Sequence, residues 1–345
     1  MPVLDPVIGA LSSKSARTLA RPLMRKRATV FMLHRERREE LGILGHSQDE
    51  LRAAIADLRK SGSRFVSLRD LVTHARQHGT FPADAVAFTI DDGFADQARL
   101  ARAFVEQGVP VTIFLVTGFL DGVTWPWDDR VAIALQRCKC NEARVQLPDG
   151  EWAHSLTKPD DRLRAVVALQ NRIKQLPQDD LEALLARIFA DLSVEVLPNP
   201  PAVHAPLTWE DVRSLERAGV DFGAHSVTHR IFSRLDEATA HRELQTSWRR
   251  LREELHRPLD VFAWPTGRSG DFTARDCGIA RETGLEACFA TGDDYASIAD
   301  ESDVDALFKL RRFSLPTNRS HLLQYASWIE RAKQLVRQPF GADNT

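Results

Sequence analysis

Seven short apolar runs, spaced by helical or polar stretches, limit the fold of this chain more than any other feature. They are Thr29–Leu33, Ala85–Ile90, Val109–Val116, Val220–Ala224, Val261–Trp264, Glu286–Ala290 and Phe308–Phe313. Most are near-continuously apolar rather than alternating. A strand of that kind has both faces buried, as in a parallel sheet covered by helices or a closed barrel. Helical patterns lie between them, at Asp49–Lys60, Ala95–Gln107 and Glu210–Ala218. Thr208 with Asp211 three residues on forms a capping signal for the third. Gly108 and Gly219 stand where glycine ends a helix. From about 125 to 201 the rhythm breaks. Asp160–Gln175 and Asp179–Leu192 read as helices, and Pro198, Pro200 and Pro201 close the segment. It is expected as a helical insertion on the main fold. One more amphipathic helix, His321–Val336, precedes a polar tail.

Composition narrows the function. The chain has 345 residues, 43% of them hydrophobic, enough for a large core. With 46 basic and 48 acidic residues the formal charge is -2, so no nucleic-acid partner is expected. Four cysteines are too few for a disulfide framework, and Cys138 and Cys140 read as two ordinary thiols on a helix. No apolar run is long enough to span a membrane. The N-terminal apolar stretch precedes its basic cluster, the reverse of a secretory signal, which points to a cytoplasmic site of action. Within residues 1–27, Lys14, Arg17, Arg21, Arg25, Lys26 and Arg27 follow one another with no acid between them. Such a segment is either a solvated surface helix or a dock for an anionic membrane surface.

Three strand ends carry chemistry. Thr89-Ile90-Asp91-Asp92-Gly93 ends an apolar run in two acids and a glycine. Two neighbouring carboxylates can share one site only where the strand stops and turns. Gly223-Ala224-His225-Ser226-Val227-Thr228-His229 places two histidines four apart at another strand end. Two imidazoles and one carboxylate are a common catalytic metal set, with one position open for water. Phe262-Ala263-Trp264-Pro265-Thr266-Gly267 forms a turn able to present backbone N–H groups to an oxyanion. Alone, each has a plain reading: helix-capping acids, surface histidines, a tight turn.

Together the three motifs resemble the polysaccharide deacetylase family, the NodB-homology domain or carbohydrate esterase family four. Thr89–Gly93 resembles that family's T-F-D-D-G, with Ile90 for Phe. His225–His229 matches H-S/T-x-x-H, and Ala263–Gly267 matches the third motif in part. The resemblance spans about 29–313. It implies a distorted (β/α) barrel of about seven strands, residues 28–320, between a basic segment 1–27 and a C-terminal helix and tail 321–345. It also implies one divalent metal on Asp92, His225 and His229, zinc first, with cobalt, nickel or iron as alternatives. Asp91 becomes the general base and the Thr266 N–H an oxyanion donor. The family's third-motif arginine is Ala263 here, its aromatic is Thr266, and its C-terminal acid histidine has no counterpart. A subgroup with circularly permuted motifs draws that acid from the first strand, which here ends Phe31-Met32-Leu33-His34. His34 is then the general acid, in preference to His46, His74 and His204, and Arg312 takes the missing arginine's place beside Asp91.

The expected reaction is hydrolysis of N-acetyl groups on a polysaccharide or a glycan precursor at the inner membrane face. Two alternatives keep the same residues: a deacylase or amidohydrolase acting on a small molecule, and an inactive glycan-binding homologue. Trp125, Trp127 and Trp264 are equally candidates for sugar stacking and for core packing.

Overall fold

The computed structural model describes residues 4–39 and 43–337. Its strands are β1 (Arg27–Leu33), β2 (Arg64–Phe65), β3 (Ala85–Asp92), β4 (Thr112–Leu115), β5 (Glu142–Leu147), β6 (Gly150–Ser155), β7 (Asp221–Ala224), β8 (Val261–Ala263), β9 (Ala287–Phe289), β10 (Ala296–Ser297) and β11 (Phe313–Ser314). The main sheet runs β1-β3-β4-β7-β8-β9, every neighbouring pair parallel. It closes through the last strand. Leu310 bridges Phe289 of β9, and Phe313 of β11 pairs with Phe31 of β1. Counting β11, seven parallel strands make a distorted, helix-covered (β/α) barrel, as the resemblance implies. β2 adds to the edge of β3 in parallel and β10 pairs antiparallel with β1.

The apolar patterning explains the closure. β3 and β4 are buried along their whole length, as strands covered on both faces must be. Phe31, Phe88, Phe104, Phe222, Phe262 and Trp264 fill the core. Each fully buried side chain of this size contributes about 1.5–3 kcal/mol. The Thr208–Asp211 capping box opens the helix Trp209–Arg217, and Gly219 follows it at φ 97°. Because the strands are parallel, the carboxyl ends of β1, β3, β7 and β8 share one rim, where sites of such folds lie.

Several expectations need correction. The segment 125–201 is not all helical. Between the helices Trp127–Arg137 and Pro159–Ile173 it carries the antiparallel hairpin β5–β6. Ala143, Val145 and Leu147 alternate inward and Gly150 turns the chain at φ 127°, a period-two pattern overlooked among helical ones. With Leu169, Leu185 and Phe189 these residues form a cluster separate from the barrel core. Cys138 and Cys140 are a disulfide, not free thiols. The helix stops at Arg137 and the extended Cys138 brings the two Cα atoms to 5.5 Å. The last strand is not Phe308–Phe313, because Ala306–Phe308 is a single 3-10 turn. The C-terminal helix is two, Arg319–Tyr325 and Ile329–Arg337. It breaks where the Tyr295 hydroxyl donates to the Ser327 carbonyl. Residues 338–345 of the expected tail lie outside the described residues, as do 1–3 of the basic segment.

That basic segment forms two helices, α1 (Leu4–Leu11) and α2 (Lys14–Met24). α2 does not float free. Arg17 is buried and donates to the Ser12 carbonyl at 2.9 Å and the Ser61 hydroxyl at 3.1 Å. No described helix is long and apolar enough to cross a membrane.

Candidate active site

Asp91 and Asp92 end β3, and regular strand geometry would send their side chains to opposite faces. The backbone leaves that geometry at Asp92, with φ 93°, and Gly93 follows at φ 93°. A Cβ at Gly93 would meet the methyl ends of Leu115 and Leu120 at 3.0 Å, so both the left-handed backbone and the crowding favour glycine there. The same left-handed backbone recurs around the rim, at Ser226 (φ 68°), His229 (φ 57°) and Thr266 (φ 56°). Each non-glycine residue held there costs on the order of 1–3 kcal/mol and needs surrounding structure to hold it. Here that support is visible. The Ser226 hydroxyl accepts the His229 N–H at 2.9 Å. The buried Glu243 carboxylate accepts the N–H groups of Val227 and Thr228, both at 2.9 Å.

The result is a compact trio. One ligand-type atom from each of Asp92, His225 and His229 lies within 4.8 Å of the others, and all three residues are buried. His225 Nε2 and His229 Nε2 stand 3.5 Å and 3.4 Å from Asp92 Oδ1. His225 Nδ1 lies 2.7 Å from the Ala263 carbonyl, which only accepts, so Nδ1 carries the proton and Nε2 faces the carboxylate. Asp92 Oδ1 and His229 Nδ1 are buried with no hydrogen-bond partner among the described residues. Two imidazole nitrogens converging on an orphaned carboxylate oxygen fit a divalent cation, and the donor set is that of zinc-type ions.

Charge within the trio agrees. Burial would raise Asp92, but the His225 ring 3.5 Å away, with the charges of His229 and His34, holds it far below the usual carboxylate range. Burial pushes His229 down to about 4 against the pull of Asp92, so its ring is neutral at neutral pH. Burial also favours a neutral His225, yet Asp92 and Asp91 outweigh it and raise that group.

Asp91 is held differently. Arg312 Nη1 and Nη2 each donate to one of its oxygens at 2.7 Å, a bidentate pair with both side chains buried. Arg312 also donates to the Thr89 hydroxyl at 3.0 Å and lies over the Phe114 ring. Burial works to raise the Asp91 carboxyl, and the Arg312 charge with that of His225 brings it below its ordinary value.

His34 follows β1 directly and is exposed. It stands near enough for its charge to act on Asp91, Asp92 and His229. Its carbonyl accepts from Gln97 Nε2 at 2.7 Å, and Gln97 Oε1 accepts the Gly93 N–H at 3.1 Å. The buried Gln97 thus pins the end of β1 to the end of β3. Thr266 completes the rim. Its hydroxyl is bonded to Asp271 and its carbonyl accepts from Thr291 at 2.9 Å. Of the other histidines, His46 bonds the Leu315 carbonyl at 2.9 Å, His74 packs against the His78 ring at a tilt of 59°, and His204 lies 3.3 Å from Asp129.

The three tryptophans are core residues. Trp125, Trp127 and Trp264 are 5%, 2% and 1% exposed, which leaves no face for a sugar ring. Residues overlooked in the sequence include Gln97, Glu243 and Asp128. Asp128 opens the helix Trp127–Arg137, and its buried Oδ1 has no partner among the described residues. Burial, Asp129 and Asp92 push its carboxyl up to about 7. No local pattern marks these three; each works through a partner far away in sequence or on another element.

The polysaccharide deacetylase family model matches residues 184–288, which hold His225, His229 and the third motif but not Asp91 and Asp92. A search of curated proteins finds no match. Solved structures do match. The Streptococcus pyogenes deacetylase PplD, in complex with acetate, is 15% identical with TM-score 0.57, covering 88% of this chain and 100% of that one. IcaB from Ammonifex degensii is 15% identical with TM-score 0.53, covering 87% and 97%. A de-N-acetylase from Aggregatibacter actinomycetemcomitans is 14% identical with TM-score 0.51, covering 85% and 96%. At such identities the likeness shows a common fold.

Proposed function

We propose that this chain, a hydrolase resembling the polysaccharide deacetylases in motifs, family model and barrel fold, removes N-acetyl groups from a glycan in a metal-dependent reaction. One observation carries the proposal: the buried Asp92–His225–His229 trio stands beside an aspartate locked to an arginine on the same rim. Asp92, His225 and His229 would hold a divalent cation, which would supply Lewis-acid polarisation of the acetyl carbonyl and lower the pKa of water.

The chain's own residues do the rest. Asp91, kept ionised by Arg312, takes the proton from the attacking water. That water adds to the acetyl carbon, and the backbone N–H of Thr266 offers a donor to the developing oxyanion. The amide C–N bond then breaks. An amine is a poor leaving group unless protonated, and His34 on the exposed end of β1 supplies that proton. Acetate and a free amino sugar are the products. Arg312 cannot give up its proton and serves only to position and charge Asp91.

The test separates the two acids. Asp91→Asn keeps the metal and loses about 10²–10⁴-fold in turnover, as removal of a general base does. Asp92→Asn loses metal instead. Identical metal content and identical turnover in the two variants would overturn this division of labour.

A further inference from the structure

At the opposite end of the barrel from the catalytic rim, a cavity of about 350 Å³ opens between α2, the loop before β3 and the turn that splits the C-terminal helices. Its size is within the range of small-molecule pockets, about 300–1,000 Å³. Met24, Phe81, Ala85 and Ala326 give it an apolar lining. Trp328 lines it too, with the indole N–H donating to the Leu11 carbonyl at 3.0 Å.

Its charge is lopsided. Arg17, Arg21, Arg25 and Arg27 all line it, against one acid, Asp84. Asp84 is taken by the first two: Arg21 at 3.3 Å and Arg17 at 3.9 Å. The Arg25 and Arg27 side chains have no hydrogen-bond or ion-pair partner among the described residues. Burial and the like charge of Arg331 work against the charged form of Arg27, with Asp294 opposing only in part. An anion brought here would relieve that crowding. On the face of α2 turned away from Arg17 and Arg21, Leu19 (85% exposed) and Leu23 (38% exposed) stand in solvent one helical turn apart.

Uncompensated guanidinium groups above an apolar floor fit a ligand with a phosphate head and a hydrocarbon chain. The exposed leucines on the outer face of α2 are what an interfacial helix lays into the headgroup boundary. We propose that this cavity seats the phosphate head and first carbons of an anionic phospholipid, holding that end of the barrel on a membrane surface with the catalytic rim turned away. The proposal is independent of the deacetylase reading, because the cavity shares no residue with the rim.

The test is co-sedimentation of the whole protein with vesicles of phosphatidylglycerol in phosphatidylcholine, against pure phosphatidylcholine, at fixed ionic strength. Two variants are used. Arg25→Gln with Arg27→Gln removes the unpaired cations; two basic contacts correspond to binding roughly 30-fold weaker. Ala83→Trp plugs the cavity from an exposed lining position and leaves every charge in place. Thermal melts confirm that both variants fold, and metal content and turnover on a soluble substrate stay at the wild-type level. The proposal expects preference for phosphatidylglycerol and at least a tenfold loss in both variants. Unchanged binding by Ala83→Trp would overturn it and leave only diffuse attraction by a basic helix. Equal binding to neutral vesicles would overturn it as well. So would binding of inorganic phosphate at micromolar concentration by protein that shows no preference for phosphatidylglycerol vesicles, which would make free phosphate the ligand.

Discussion

Replacing Arg312 by glutamine should cost far more than one surface ion pair, and the cost should depend on pH in a defined direction. Arg312 and Asp91 are both essentially buried, 0% and 1% exposed, and make two charge-assisted bonds at 2.7 Å. Surface pairs contribute about 0–1 kcal/mol, but removing one partner of a buried pair strands the other charge and costs about 3–5 kcal/mol. Against a typical stability of about 5–15 kcal/mol the Arg312→Gln protein still folds. Asp91 is depressed in the wild type, so its contribution is present above the unfolded carboxylate value, near 4, and is lost as pH falls through the lower folded value. In the variant the Arg312 charge and its two bonds are gone, so burial, opposed only by His225 and His34, raises the carboxyl above its wild-type position. The wild-type advantage should therefore be small near pH 4 and grow towards pH 7. Urea denaturation of the chelator-stripped proteins at pH 4.5, 6 and 7.5 measures this. Asp91→Asn combined with Arg312→Gln should cost less than the two single changes added, by about 2 kcal/mol of coupling. A loss below about 1 kcal/mol at pH 7.5, or one independent of pH with no coupling, would show that Arg312 does not hold Asp91 ionised.

Two further outcomes follow from individual groups. His34→Ala should sharply reduce hydrolysis of a sugar acetamide with metal retained, and reduce hydrolysis of an activated aryl acetate much less, since that leaving group needs no proton; an equal fall on both substrates would assign the proton to another residue. Asp128 sits at about 7 in the fold, above the unfolded value near 4, so stability falls as pH rises between the two, by at most about 1.4 kcal/mol per pH unit. Asp128→Asn should match wild type near pH 4 and melt at a higher temperature at pH 8 in metal-free protein, whereas a pH-independent difference would show that Asp128 does not hold its proton.

The barrel was legible because its strands are buried on both faces. Near-continuous apolar runs at 29–33, 85–90 and 261–264 leave little choice of partner. The rim residues were legible for a related reason, since acids or histidines at the end of an apolar run must face a site or turn to solvent. Arg312 was placed from its position at the last strand alone, and the structure puts it on Asp91. What escaped depends on contacts distant in sequence. Gln97 matters only because β1 and β3 end side by side. Glu243 clamps a loop 15 residues away. The C-terminal helix breaks because Tyr295, 32 residues upstream, draws the Ser327 carbonyl. The hairpin β5–β6 did carry a local signal, Ala143, Val145 and Leu147 before Pro148-Asp149-Gly150, which the stronger helical periods on either side obscured.

Cleavage of acetamides from a glycan at this site is measured most directly as acetate release from a panel of N-acetylated glycans. The protein is stripped of metal and then reloaded with zinc, cobalt or nickel. Acetate should be released one-for-one with new free amines from at least one member of the panel. Release should stop on chelation, return on reloading, and be absent from His229→Ala together with the metal. Protein that binds one metal per chain at Asp92, His225 and His229 yet frees no acetate from any N-acetylated glycan would contradict the deacetylase assignment.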